Sequence, residues 1–185
     1  MNGLLHAAQR LQSFCDRQSW RSCFIGGLAV QRWGEPRITR DLDLSLLTGF
    51  GGEAPYIDTL LAAYSGRISD AHRFAEQYRV LLLTTPGGIG IDVSLAALPF
   101  EESVISRASN FEFAPGLKIR TCSAEDLIVM KLFALRALDV QDATAVAIRQ
   151  RNLDWPYIEE QLTPLAEIKA NPEILQQLAK LRRLP

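Results

Sequence analysis

An alternation of acidic and aliphatic residues near position 40 limits the structures open to this chain. Asp41, Asp43 and Ser45 occupy odd positions, and leucines occupy the even positions between and after them. Side chains two residues apart in a β-strand lie on the same face, about 6–7 Å apart along the chain. The segment 38–47 is therefore predicted to be a strand with one aliphatic face and one face that carries two carboxylates.

A later segment repeats this pattern with a third acid. The segment 89–95 is predicted to return from the strand 80–83 as a hairpin, with Asp92 and Ser94 on one face. If the two acidic strands are neighbours with aligned polar faces, three carboxylates meet. Such carboxylates repel each other unless a cation or a proton intervenes, and Mg²⁺ favours oxygen ligands of this kind. A solvated sheet face with ordinary surface acids is the alternative.

A pair of glycines precedes these strands. Gly26 and Gly27 follow a predicted strand at 22–25 and precede a predicted helix at 28–33. Their backbone amides, next to a helix N-terminus, suit an anionic group such as a phosphate. Taken alone, the pair is better explained by a tight turn without a ligand, which accounts for most such pairs. Beside three carboxylates, however, a phosphate cradle is typical of two-metal phosphoryl transfer.

The rest of the chain predicts a mixed α/β fold. A helix is expected at 3–19, another at 55–64, and a second hairpin at 111–121. A capping box at Ser123 predicts a helix from there through 138 that continues to 150, and Pro156 and Pro172 each begin a short helix. We therefore expect a strand-rich part at 1–121 and a helical part at 122–185 packed on it.

The composition limits the cellular compartment and the classes of partner that are expected for this chain. The 185 residues include 20 basic and 21 acidic side chains, a balance that disfavours a bulk electrostatic nucleic-acid binder. Three cysteines without a C-x-x-C pair make neither a disulfide framework nor a zinc site. The N-terminus does not resemble a signal peptide, and no apolar run is long enough to span a bilayer. These features predict a cytoplasmic protein without a membrane partner.

In order along the chain, these motifs resemble the AbiEii/AbiGii-type nucleotidyltransferase toxins, within the DNA-polymerase-β-like nucleotidyltransferase superfamily. The "GG…DLDL" opening of that family corresponds to Gly26-Gly27 and to Asp41-Leu42-Asp43-Leu44. The stretch around Lys131 resembles the third family motif, and Arg136 to Asp142 resembles the fourth, R-x-x-D-x-x-D. The similarity covers roughly residues 22 to 145.

The resemblance implies a short, twisted mixed sheet packed by helices, with residues 1–121 as the catalytic core. It implies transfer of a nucleoside monophosphate from an NTP to an acceptor hydroxyl, with Mg²⁺ or Mn²⁺ as the cofactor. The resemblance implies that the catalytic residues are Asp41, Asp43, Asp92 and Lys131. Of these, the three aspartates would bind the metal. The implied nucleotide-binding residues are Gly26, Gly27, Arg40, Lys131, Asp139 and Asp142.

The charged residues of the helical motifs could also have purely structural roles. Lys131 interrupts an aliphatic stretch, so its ammonium group must either extend to solvent or meet an anion. Asp139 and Asp142 could be ion-paired acids on a helix surface. Arg37 and Arg40, which flank the acidic strand, could hold a triphosphate or an RNA backbone, or could offset the acids.

The partners implied by the family are an NTP, an RNA or tRNA acceptor and a cognate antitoxin. The protein would then be the toxin of a toxin–antitoxin pair. Two alternatives are a nucleotide-binding or interaction module of the same fold without turnover, and a small-molecule nucleotidyltransferase of the antibiotic-modifying type.

Overall fold

A computed structural model describes residues 2–184, which form two compact units. The first unit contains the chain up to Leu28 together with Ile38–Cys122, and the second contains Ala29–Arg37 together with the chain from Ser123 onward. The sequence placed the division between residues 121 and 122. The structure differs at residues 29–37, which group with the helical unit although they lie between two strands of the first unit.

A mixed seven-stranded sheet organises the first unit. Its strands, in the spatial order β3-β4-β5-β2-β1-β7-β6, are β1 (Ser22–Phe24), β2 (Leu42–Leu47), β3 (Ser65–Gly66), β4 (Val80–Thr84), β5 (Gly90–Ala96), β6 (Ser109–Ala114) and β7 (Leu117–Thr121). The pairs β2–β5 and β1–β7 are parallel, and the other neighbours are antiparallel. Both predicted hairpins, β4–β5 and β6–β7, are present.

The helices of the first unit pack around this sheet. They are α1 (Asn2–Arg17), α3 (Ala54–Ala63), α4 (Ala71–Tyr78) and α5 (Pro99–Arg107), with the first turn of α2 (Gly26–Trp33). The even leucines of β2 and the odd aliphatic residues of β5 are at most 1% exposed and share one core with α1. Because side chains alternate along a strand, this burial directs the acidic positions of both strands to the opposite face.

Four helices form most of the second unit: α6 (Ala124–Ala134), α7 (Ala137–Arg149), α8 (Trp155–Ile168) and α9 (Glu173–Leu181). Ser123 begins α6 as predicted, and its hydroxyl accepts a hydrogen bond from the Asp126 amide at 3.1 Å. Pro156 and Pro172 stand at the predicted starts of α8 and α9. The side chains buried completely among these helices include Leu127, Ile128, Leu132, Val146, Ile158, Leu162 and Ile174.

The prediction of one continuous helix from 123 to 150 was wrong. Leu135 adopts a left-handed conformation, with φ of 60°, and ends α6, and the extended residue Arg136 then begins α7. Helices usually end in this way at glycine or asparagine, so a leucine gave no local signal. The apolar pattern runs on across the break because both helices bury aliphatic side chains.

Two further boundaries differ from prediction in the first unit. The acidic strand begins at Leu42 rather than 38, so Asp41 precedes it. Leu42 pairs with Ile91, and β5 begins only one residue earlier, which leaves the residues before position 41 without a strand partner. Helix α5 was not predicted, and Gly66, expected to end a helix, lies in β3.

The three cysteines lie in the interior of the first unit. Cys15, Cys23 and Cys122 are buried and form no disulfide within the described residues, and burial raises the pKa of Cys15 to about 11. Within residues 2–184, no helix has both the length and the apolar character needed to cross a membrane.

A buried carboxylate joins two helices of the second unit. The Asp126 side chain is fully buried, and its two oxygens accept hydrogen bonds from the Tyr157 hydroxyl at 2.6 Å and the Ser123 hydroxyl at 2.7 Å. The bond from Tyr157 connects α6 to α8. If Asp126 lost this hydrogen-bond donor, its carboxylate would stay buried without a replacement for the lost hydration. Tyr157 is therefore expected to contribute strongly to the free energy of unfolding.

We predict that Tyr157→Phe lowers the free energy of unfolding by about 1–3 kcal/mol, because one oxygen of a buried acid loses its donor. Urea denaturation followed by circular dichroism measures the change. Tyr78→Phe is the matched control, since Tyr78 is 57% exposed. Equal stability of the Tyr157→Phe variant and the wild type would show that this bond does not hold α8.

Candidate active site

The parallel pairing of β2 with β5 sets two of the predicted acids side by side. Asp43 is the register partner of Asp92, and the flanking pairs, Leu42 with Ile91 and Leu44 with Val93, are buried on the opposite face. Neighbouring strands lie about 4.8 Å apart, so one cation can contact both carboxylates. Both acids are partly exposed, which leaves this face accessible from solvent.

The glycine pair fits closely against Asp43. Gly26 has a φ of +54°, and a Cβ atom built on it would overlap the Asp43 carboxylate. The Gly27 amide donates a hydrogen bond to Oδ2 of Asp43 at 3.3 Å, and a Cβ on Gly27 would overlap the Thr39 hydroxyl. Both positions at the start of α2 therefore require glycine. The groups that lie against their backbone are side chains of the protein itself, the Asp43 carboxylate and the Thr39 hydroxyl.

Asp41 lies at the same edge of the sheet, beside the start of β5. A Cβ on Gly90 would overlap Oδ1 of Asp41 and would come within 2.8 Å of an Arg67 guanidinium nitrogen. The other terminal nitrogen of Arg67 forms an ion pair with Asp92. Sequence analysis missed Arg67, which follows β3 in a segment with neither periodicity nor a motif.

The donor set is compatible with a divalent cation that is bound chiefly by two carboxylates. No three His, Cys, Asp or Glu side chains within residues 2–184 stand in a metal-binding arrangement. Mg²⁺, however, commonly takes one or two carboxylates and completes its shell with water and substrate phosphates. The in-register pair Asp43 and Asp92 meets that requirement, and Asp41 lies close to Gly90 rather than in a closed triad.

The motifs of the helical unit form a buried ionic cluster. The Lys131 ammonium group lies 2.8 Å from Oδ1 of Asp139 and 2.8 Å from Oδ2 of Asp142, and its side chain is only 9% exposed. Arg37 contacts both oxygens of Asp142, each at 2.8 Å, and Arg136 contacts both oxygens of Asp139. The break between α6 and α7 brings these residues together.

This cluster decides between the alternatives for Lys131. The ammonium group does not extend to solvent; it meets two anions of its own chain. Asp139 and Asp142 are ion-paired, as in the structural alternative, but they are 2% and 4% exposed, so they are not surface acids. Arg37 offsets the charge of Asp142, and Arg40 has an exposed side chain.

The pKa values of the two acids in the cluster lie below their ordinary values. Burial alone would raise the pKa of Asp139, but hydrogen bonds from Arg136 and Lys131 outweigh it. For Asp142, burial is likewise outweighed by hydrogen bonds from Arg37 and Lys131. Both groups are therefore carboxylates at neutral pH.

A cavity of about 530 Å³ in the first unit lies apart from the acids. Its lining includes Arg10, Phe14 and Arg17 of α1 together with Tyr64 and Pro86. Helix α1 packs on the aliphatic side of the sheet, so this cavity contains none of the predicted site residues.

We predict that Gly26→Ala destabilises the protein by about 1–3 kcal/mol more than Gly116→Ala does, because only Gly26 faces an obstacle. Gly116 is the matched control: its φ is +76°, and nothing lies within 4 Å of an added Cβ. Both variants share the cost of a left-handed alanine. Urea denaturation of both proteins measures the difference.

A double-mutant cycle then tests the cause. Replacing Asp43 by glycine in the Gly26→Ala background removes the overlapping carboxylate, so most of the additional loss is expected to be recovered. Additive effects of the two substitutions would contradict a direct contact between these residues.

Acid should weaken the helical unit through the buried cluster. A carboxyl whose pKa is lowered on folding stabilises the protein above its unfolded pKa of about 3.9, and this stabilisation is lost as the pH falls toward the folded value. We predict that Asp142→Asn is less stable than the wild type at pH 7 and loses less stability between pH 5 and pH 3. Urea denaturation across that range is the measurement, and parallel curves would contradict the assigned ion pairs.

Comparison with known proteins now identifies the family. The family model described as "Nucleotidyl transferase AbiEii toxin, Type IV TA system" matches residues 15–154. A search of curated protein sequences finds no significant match. The family match covers most of the chain and includes every residue that sequence analysis placed in the site.

Two solved structures share the fold. An antigenic nucleotidyltransferase-like protein from Paracoccidioides brasiliensis aligns over 97% of this chain and 93% of its own, with 17% identity and a TM-score of 0.53. The antibiotic-resistance factor ANT(2'')-Ia, solved in solution, aligns over 90% of this chain and 91% of its own, with 16% identity and a TM-score of 0.56. At such identities the likeness shows the nucleotidyltransferase fold alone. By its matching family model, the chain belongs to the AbiEii nucleotidyl transferase toxin family.

Proposed function

We propose that this protein transfers a nucleoside monophosphate from an NTP to an acceptor hydroxyl in a metal-dependent reaction. The observation that carries the proposal is the in-register pair of Asp43 and Asp92 beside the N-terminus of α2. Two partly exposed carboxylates at this separation attract a divalent cation, and the helix N-terminus attracts an anion. A metal–triphosphate complex has both features.

Asp43 and Asp92 would hold Mg²⁺ or Mn²⁺, with Asp41 contributing from the position just before β2. When bound, the metal would offset the charge on the phosphates and lower the pKa of the acceptor hydroxyl. The Gly27 amide orients the Asp43 carboxylate toward this position. Gly26 and Gly27, which carry no side chains, leave the first turn of α2 accessible to the β- and γ-phosphates.

The reaction balances without a further reactant. The acceptor oxygen bonds to the α-phosphorus, and the bond from that phosphorus to the bridging oxygen of the pyrophosphate breaks. The hydroxyl proton leaves to the Asp92 carboxylate, and pyrophosphate carries the negative charge away. The protein's contribution is positioning and electrostatic stabilisation, which dominate phosphoryl transfer in general.

The resemblance to the family also gives a nucleotide-binding role to Arg40 of the first unit and, in the second unit, to Lys131, Asp139 and Asp142. In the structure the Lys131 ammonium group is already bound by two carboxylates, so a phosphate contact would require it to exchange one of them. The exposed Arg40 guanidinium needs no such exchange.

The biological role that fits the family is a toxin, with RNA or tRNA as the acceptor and a cognate antitoxin as the partner. The toxin–antitoxin description of the family model supports this part of the proposal. Growth arrest on expression in a host cell, relieved by Asp43→Asn, is the expected cellular result.

We predict that Asp43→Asn and Asp92→Asn each reduce the transfer of α-labelled NTP to total RNA by about 100-fold or more, the effect of removing one charge-stabilising group from an active site. Ser94→Ala is the matched control, since Ser94 lies two residues from Asp92 on the same face and should retain transfer. Because Asp43→Asn relieves carboxylate repulsion, its thermal midpoint without metal should stay level or rise, whereas Asp92→Asn also loses the ion pair with Arg67.

The labelled product also separates the alternatives. Label on an aminoglycoside but not on RNA would indicate an antibiotic-modifying enzyme, an acceptor class suggested by the fold shared with ANT(2'')-Ia. NTP binding without label on any acceptor would indicate a binding module. Full transfer by the Asp43→Asn variant would contradict the proposed site.

A further inference from the structure

We propose that Arg67 is an internal counter-ion that competes with the divalent cation for Asp92 and thereby sets the metal affinity of the site. The inference rests on the proposed function, because it assumes that Asp43 and Asp92 hold a metal. It concerns a residue outside all the motifs that identify the family.

The position of Arg67 carries the inference. One terminal nitrogen of its guanidinium forms an ion pair with Oδ1 of Asp92. The other lies beside Gly90, at the place where the Asp41 carboxylate also approaches. Arg67 therefore brings one positive charge among the carboxylates that would otherwise repel each other, which is where a metal would act.

The ion pair is accessible enough to exchange. The Arg67 side chain is 31% exposed and that of Asp92 is 39% exposed, so the pair is partly screened by solvent. The Arg67 amide donates to the Leu82 carbonyl at 2.9 Å, which holds the backbone in place, so only the side chain has to move for the pair to open. Arginine does not lose its proton in proteins, so the exchange occurs by displacement and not by titration.

Metal uptake then has two consequences for Arg67. The cation must break the ion pair to reach Asp92, which weakens metal binding in the absence of substrate. The displaced guanidinium is left close to a metal–triphosphate, where planar guanidinium groups bind phosphate oxygens in pairs. The metal and the nucleotide should therefore bind cooperatively, each favouring the displaced position of Arg67.

Mn²⁺ binding without nucleotide tests the proposal directly. The free ion is measured by electron paramagnetic resonance during titration of the wild type and of Arg67→Gln. We expect the variant to bind Mn²⁺ about threefold to tenfold more tightly, from the loss of a partly exposed ion pair and of a nearby positive charge. Unchanged or weaker binding would overturn the proposal.

Two control variants isolate the ion pair. Arg73→Gln removes an exposed arginine on α4, and its Mn²⁺ affinity should stay within about twofold of the wild type because surface charges act weakly at a distance. Arg67→Lys retains the charge and should resemble the wild type. Equal tightening in Arg73→Gln would show a general charge effect and would overturn the specific role.

A second readout does not depend on weak-binding titrations. The metal-free Arg67→Gln protein should melt at a lower temperature than the wild type, and saturating Mn²⁺ should raise the thermal midpoint of the variant by more than it raises that of the wild type.

Addition of a non-hydrolysable NTP should tighten Mn²⁺ binding more in the wild type than in Arg67→Gln. Equal tightening in both proteins would contradict the exchange of Arg67 to the nucleotide.

The outcomes distinguish this inference from the proposed function. Saturable Mn²⁺ binding that Asp43→Asn abolishes and Arg67→Gln leaves unchanged would overturn the role of Arg67 and leave the metal site standing. No saturable binding in either the wild type or Arg67→Gln would overturn both proposals.

Discussion

Electrostatic repulsion between Asp43 and Asp92 is the constraint around which the first unit is arranged. Parallel pairing in register holds the two carboxylates about one strand spacing apart, where like charges destabilise each other. The buried leucines of β2 prevent a shift by one residue, since such a shift would expose the aliphatic face and bury the acids. The sheet therefore cannot relieve the repulsion by slipping, and the relief must come from the surroundings.

In the second unit, by contrast, the acids of the ionic cluster are buried and paired with cations. Asp139 and Asp142 each have two cationic partners and almost no exposure, so the cluster has more positive than negative groups. Removing one partner from such a network is costly because the remaining charge is buried. Its composition is that of a rigid anchor between α6 and α7, and any nucleotide contact by Lys131 must operate within that anchor.

Sequence patterns predicted the elements in which local signals and burial agree. The alternation at Asp41 to Leu46 predicted the strand and its polar face, and Ser123 predicted the start of α6. Gly26 and Gly27 predicted close approach of a ligand at the start of α2, whereas the group found there is the Asp43 carboxylate. The break at Leu135 could not be predicted, because it occurs at a residue type that rarely ends helices. Arg67 was missed because its partner, Asp92, is 25 residues away in sequence.

The two glycine positions next to the acids show what the carboxylate site requires before any ligand binds. A side chain at Gly26 would occupy the place of the Asp43 carboxylate, and one at Gly90 would occupy that of Asp41. Each glycine is therefore matched to a specific acid by excluded volume, and the backbone conformation at Gly26 adds a second reason for glycine there. In a chain that kept these glycines but lost the acids, the backbone would still be flexible at both glycines, but no carboxylate would fill the space beside them. The joint presence of Gly26 with Asp43 and of Gly90 with Asp41 is thus a packing requirement of the carboxylate site itself, independent of any phosphate.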